Sequence, residues 1–314
     1  SGRLVPSGLA PGKAAPDGIA PHLRPSGVFR PDRSLTFSSN GERPAGFTGT
    51  QPVLLLLVSF ANRAPVGTTA AQWNTQFFAA TNSARHYYQE VSYNLLTLAP
   101  ATENHGTAND GVIGWLNLGY NHPNTAGATD DRNRQITRDA INAANPYINF
   151  ASYDTNGDGY IAGSELHLVI IVAGYETSYG GTSAACSPGV WAHQWGLDTT
   201  VPPPLVDGVY VGSSAKGGYS QFGEWHCANF DTPGHKATMG QMVHEMGHDI
   251  KWPDLYDIDG SSYGVGAWSI MAGGSWNYVA GGLQGAMPAH PDAFLKWYQG
   301  WLTPQQVTGS VSNV

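Results

Sequence analysis

Residues 244–254 read HEMGHDIKWPD. His244 and His248 stand four apart, so on a helix both imidazoles leave the same face. That spacing suits two Zn–N bonds of about 2.0–2.1 Å. Glu245 lies beside them and reaches a metal-bound water without being a ligand, which is the H-E-x-x-H arrangement of zinc peptidases. Two helical histidines are also ordinary surface residues in many proteins, but the surroundings argue against that here. Met239, Met242, Val243 and Met246 give the segment the apolar face of a buried helix, and Gly240 and Gly247 admit other backbone. The spacing predicts a helix over 238–249 that carries a zinc site.

A catalytic zinc takes a third protein ligand and leaves its fourth position to water. Pro253 disfavours helical geometry in the residue before it, so the helix ends by Trp252. Asp254 is the first carboxylate able to turn back to the metal and is the expected third ligand. Asp257 and Asp259 are the other nearby carboxylates, and Asp257 could instead orient a histidine. Asp249, one residue past His248, is expected to point off the zinc face.

Outward from this helix, 52–60 and 166–173 read as buried strands and 95–98 as a short one. Helices are predicted over 71–80, 83–92 and 130–144, the last stopped before Pro146. Residues 190–195 form a third or an edge strand, and Gly-rich, aromatic-rich loops fill 174–233. A last helix, 291–297, takes Pro at its first position. Strands come first and the final helices are segregated, so the expected class is α+β, not a doubly wound sheet. Residues 1–50 are rich in Pro and Gly with no apolar periodicity, as in a pro-segment remnant. They are expected to lie extended along the outside of a catalytic domain spanning 51–314. The alternative is a plug, with Asp17 or Asp32 blocking the zinc.

Composition narrows the function. Charged residues are only 12% of the 314, about half of the roughly 25% usual in globular proteins, and Gly, Ser, Thr, Asn, Tyr and Trp fill the polar surface as in exported proteins. A net charge of −8 without a Lys/Arg cluster argues against nucleic acid. No run approaches the roughly 18 apolar residues of a membrane span. No signal peptide is present, so a secreted protein is expected here in processed form. Cys186 and Cys227 form no C-x-x-C pair and are expected to make one disulfide. Asp154, Asn156, Asp158, Gly159, Tyr160 and Glu165 match positions one, three, five, six, seven and twelve of an EF-hand loop. The strand-like LHLVIIVA that follows replaces the exiting helix, so a static structural Ca²⁺ site is expected. A polar turn held by Asx hydrogen bonds is the alternative.

HEMGHDIKWPDLYD resembles the extended zinc signature of the immune inhibitor A-type metallopeptidases, a branch related to the metzincins. WSIMAGGSW (268–276) resembles that family's Met-turn, with Met271 as the methionine under the zinc. DTNGDGYIAGSELHLVIIVAGYE resembles its acidic loop and following strand, VLLLLVSF and ARHYYQEVSYNLLTL its opening strand and helix, and AFLKWYQGWLTPQQVT the end of its catalytic domain. The similarity covers about residues 50–308. One position departs: the metzincin pattern has Gly three residues after the second histidine, and here it is Lys251, which takes the left-handed conformation at a cost of about 1 kcal/mol. The resemblance implies a metzincin-like twisted sheet with an active-site helix. It also implies a secreted zinc endopeptidase with protein or peptide substrates, expected to act as a monomer, with Glu245 as general base. Some of the family's zymogens are blocked by a cysteine, and neither cysteine here lies near the N-terminus. Tyr263 and Tyr278 are candidate oxyanion donors. The rival functions are a catalytically inactive metzincin-like binding or adhesion module and a calcium-dependent structural protein with an accidental zinc motif.

Overall fold

The computed structural model describes residues 46–126, 130–179, 184–228, 233–257 and 262–304, together with the backbone of residues 4–5. The run Val53–Val58 is completely buried and organises the molecule. Its side chains alternate between two separate cores. Val53, Leu55 and Leu57 face one, and Leu54, Leu56 and Val58 face the other. A strand buried on both faces reads as a continuous apolar run, the signature of a parallel sheet covered on both sides. Each fully buried Leu or Val contributes roughly 1.5–3 kcal/mol.

The strands are β1 (Leu4–Val5), β2 (Gly49–Ser59), β3 (Leu96–Pro100), β4 (Val112–Asn117), β5 (His167–Glu176), β6 (Gly189–Val190), β7 (His193–Trp195), β8 (Leu205–Val206), β9 (Val209–Tyr210), β10 (Tyr219–His226), β11 (His235–Lys236) and β12 (Tyr278–Val279). The helices are α1 (Ala70–Phe78), α2 (Ala84–Val91), α3 (Asp131–Ala144), α4 (Met239–Asp249) and α5 (Ala293–Tyr298). The main sheet runs β11-β10-β5-β2-β3, with β4 also on β2, β6 on β5 and β7 on β10. β2 runs parallel to β3, β4 and β5, and β5 runs parallel to β6 and β10. Only β7 and β11 add antiparallel pairs, both on β10. β8–β9 and β1–β12 are small antiparallel pairs.

The fold is a mixed α and β architecture, but its helices are not segregated to the end of the chain. α1 and α2 lie between β2 and β3, and α3 lies between β4 and β5, as the crossovers of a parallel sheet require. Local capping fixes their starts. Thr69 and Gln72 form a capping box on α1, Ser83 caps α2, and Asp130 with Asn133 boxes α3. The last helix starts later than 291: Asp292 caps Ala293, and Pro291 lies outside. The expected strand over 190–195 divides, β6 joining β5 and β7 joining β10.

The largest correction is β10, which lies in the stretch read as loop. Its sequence YSQFGEWH breaks the apolar pattern, yet nearly all of it is buried. Two of its polar members, Gln221 and Glu224, are satisfied by internal partners. Gln221 pairs with Asn133 and Thr137 of α3. Glu224 accepts from the backbone N–H groups of Val66, Gly67 and Thr68 and from the Thr68 hydroxyl. The expected path of residues 1–50 lies mostly outside the described residues, as do Asp17 and Asp32. Phe47 is tied to the end of the domain, its N–H donating to Gln299 and its carbonyl accepting from Trp301.

Candidate active site

α4 is the innermost helix: every residue from Gly240 to Asp249 is buried. Two glycines let it sink that far. A Cβ on Gly240 would stand 1.9 Å from the Ser275 carbonyl oxygen, and one on Gly247 would stand 2.6 Å from Met271 Sδ. Tyr88 of α2 donates its hydroxyl to the Val243 carbonyl at 2.7 Å. The backbone that carries the two histidines is therefore wedged against the 271–275 segment on one side and α2 on another.

Both imidazoles are oriented by backbone. His244 Nδ1 lies 2.8 Å from the Ile270 carbonyl and His248 Nδ1 2.8 Å from the Trp252 carbonyl. A carbonyl only accepts, so each Nδ1 carries the proton and each Nε2 presents a lone pair. Asp254 Oδ1 lies 3.3 Å from His244 Nε2 and 3.0 Å from His248 Nε2. That oxygen is buried, and among the described residues no donor other than the two histidines reaches it. With both imidazoles neutral, three acceptors face one another, an arrangement that a shared cation, or a proton on a histidine, makes favourable. Ligands around a tetrahedral ion with bonds of about 2.0–2.1 Å are separated by about 3.3 Å, so the spacing fits zinc. Without a metal, the cluster favours positive charge on His244 and negative charge on Asp254. Burial works against charge on His244, but Asp254, Glu245 and the Ile270 carbonyl outweigh it and raise its pKa above the ordinary value. Burial also opposes charge on Asp254, yet the two histidines hold its pKa well below the usual carboxylate range.

Glu245 brings a carboxylate oxygen into the same cluster, within 4.8 Å of the ligand atoms of His244 and His248. Its Oε1 accepts from Gln241 Nε2 at 2.6 Å. Asp257 is occupied elsewhere, accepting from the Ser262 N–H at 2.7 Å, and Asp259 lies outside the described residues. Asp249 turns away from the metal side, as expected, and its carboxylate meets His167 Nδ1 of β5 in the interior. The catalytic-domain family described as immune inhibitor A peptidase M6 matches residues 43–302. The chain belongs to this family.

Among curated M6-related proteins, immune inhibitor A of Bacillus thuringiensis subsp. alesti is 33% identical over 167 residues, 49% of this chain and 23% of the relative. Pre-pro-metalloprotease PrtV of Vibrio cholerae serotype O1 strain M66-2 is 30% identical over 238 residues, 70% of this chain and 23% of the relative. The chain therefore spans about a quarter of the length of these relatives.

Other predicted residues of this M6 domain fall as follows. Met271 is buried beneath α4 at Gly247, and its carbonyl accepts from the Leu255 N–H at 2.7 Å. Cys186 and Cys227 are joined in a disulfide. Tyr263 is exposed, and Tyr278 is half-buried on β12. The loop over 154–165 closes on itself. Asp154 accepts from the N–H groups of Asp158 and Gly159, Asn156 from that of Asp158, and Asp158 from that of Tyr160. Glu165 accepts from the N–H groups of Thr155, Asn156 and Ala162, and Lys216 pairs with Asp158 at 2.6 Å. These are the Asx-type bonds named above as the alternative to calcium. The carbonyls of Ile270 and Trp252 orient the site, and sequence reading missed them because a backbone acceptor leaves no residue signature. Gln241 was also missed, although its place one helical turn before Glu245 was a readable signal.

Proposed function

We propose that the chain is the catalytic domain of a secreted zinc endopeptidase, with His244, His248 and Asp254 as metal ligands and Glu245 as general base. The observation that carries this reading is the convergence of His244 Nε2, His248 Nε2 and Asp254 Oδ1, with a Glu245 carboxylate oxygen beside the two histidines. Zinc, when bound, supplies Lewis acidity to a water and to the scissile carbonyl. Glu245 takes a proton from the attacking water and returns it to the leaving amine. Ile270 and Trp252 keep both imidazoles in the metal-binding tautomer throughout. Met271 acts as the floor of a metzincin-like Met-turn, filling the space that Gly247 leaves open.

Export is supported by the disulfide and the low charge content; in addition, no helix among the described residues is long and apolar enough to cross a membrane. Substrates are unfolded protein segments or peptides, taken by a monomer. Calcium enters the proposal only through the sequence pattern of the 154–165 loop. A bound ion would have to draw Asp158 from Lys216 and Glu165 from its backbone donors. A melting temperature unchanged by calcium-selective chelation, with zinc retained, would remove calcium from the account. The test of the main reading is Glu245→Gln, assayed by digestion of a diverse peptide library with and without a zinc chelator. Retained zinc with turnover lost is expected; turnover near the parent level would refute the base assignment.

A further inference from the structure

We infer that Gln241 is a positioning residue that sets the orientation of the Glu245 carboxylate, an inference that rests on the reading of Glu245 given above. Gln241 lies one helical turn before Glu245 on the same face of α4, and the two side chains are 2% and 4% exposed. Its amide nitrogen donates to Glu245 Oε1 at 2.6 Å, a close contact for an N–H···O bond. The other end of the amide, Oε1, is buried with no partner among the described residues. The amide is thus held by the glutamate alone, and facing a carboxylate oxygen it must present its NH₂.

The backbone makes this contact stiff. Gly240 is pressed against the Ser275 carbonyl, and Gly247 against Met271, so the turn from Gln241 to Glu245 is fixed at both ends. A glutamate has three rotatable side-chain bonds. With Oε1 tethered to Gln241, Oε2 is the oxygen left to meet a water beside the two imidazoles. A carboxylate released from that tether spends less time in the productive orientation, and displacement of a catalytic group by about 1 Å costs on the order of a hundredfold in rate. Leaving the Gln241 carbonyl unpaired in the interior is unfavourable, so the side chain is poorly chosen for stability alone. It serves the adjacent carboxylate.

The test uses the full chain and one internally quenched peptide chosen from its own library digest. Gln241→Met keeps the volume and removes the donor; Gln241→Asn keeps the amide and cannot reach. For both, kcat is expected to fall about 10- to 100-fold. KM, zinc content and melting temperature are expected to stay close to the parent's, and a crystal structure of Gln241→Met to show the Glu245 carboxylate rotated with both histidines unmoved. A kcat within threefold of the parent in whichever variant folds overturns the inference. So does a loss of activity that follows loss of zinc or of the fold, which would mark Gln241 as structural. Glu245→Gln separates the two readings. If it is inactive while the Gln241 variants are not, only the positioning role fails; if it is active, the base assignment fails as well.

Discussion

Replacing Lys251 by glycine should stabilise the protein, and the structure sets the size of the effect. Lys251 has φ of +75°, the left-handed conformation that glycine adopts without strain. Its surroundings explain why the chain insists on it. The Trp252 N–H donates to the Gly247 carbonyl and the Lys251 N–H to the His248 carbonyl, the paired bonds of a Schellman helix end. Trp252 is fully buried over Gly247, and its carbonyl orients His248. The left-handed residue thus joins α4 to the carbonyl that orients His248. Lys251 itself is exposed. Left-handed geometry costs a non-glycine residue about 1–2 kcal/mol, and the added freedom of glycine in the unfolded chain returns about 0.4–1 kcal/mol of that. The net gain is about 0.5–1 kcal/mol, or a rise of about 1–4 °C in melting temperature for a domain of this size. Scanning calorimetry of Lys251→Gly, with Lys251→Val as the opposite arm, decides it. A melting temperature unchanged or lowered by glycine would refute the reasoning.

Three further outcomes follow from the structure. Replacing Cys186 and Cys227 together by Ala reopens a loop whose ends are 41 positions apart and should cost about 4 kcal/mol by loop entropy; urea midpoints equal to the parent's would contradict this. Burial, with Arg63 adding for His122, lowers the pKa of both His122 and His193 to about 4 from 6.5. The unfolded chain therefore takes up protons first as pH falls: stability is full above about 6.5 and is lost progressively down to 4, by about 2 kcal/mol per histidine at pH 5. Metal-free protein whose urea midpoint stays constant from pH 7.5 to 5 would disprove it. Gly247→Val should unfold the domain or displace Met271, because its Cβ has no space there and overpacking costs about 1–3 kcal/mol or more; a folded variant with unchanged melting temperature would exclude the wedge.

α4 was legible because its information is local: spacing, a proline stop and an apolar face all lie within 238–254. β2 and β5 were legible for the same reason, as unbroken apolar runs. β10 was not, since Gln221 and Glu224 look like surface residues until their partners on α3 and at 66–68 are brought alongside. The parallel sheet was also hidden. The sequence shows strands and helices, but whether a helix serves as a crossover depends on which strands pair. At the site, the turn that Pro253 imposes made Asp254 rather than Asp257 the expected ligand, and Asp254 lies beside both imidazoles. The carbonyls that fix the tautomers could not, because any residue at 252 or 270 offers the same atom.

The central claim is that three acceptors, His244 Nε2, His248 Nε2 and Asp254 Oδ1, share one cation. Zinc content by mass spectrometry, after identical dialysis of the parent, Asp254→Ala and Asp257→Ala, tests it most directly. The account predicts one zinc per chain in the parent and in Asp257→Ala, and a largely empty site in Asp254→Ala. Full zinc in Asp254→Ala with an empty site in Asp257→Ala would contradict it.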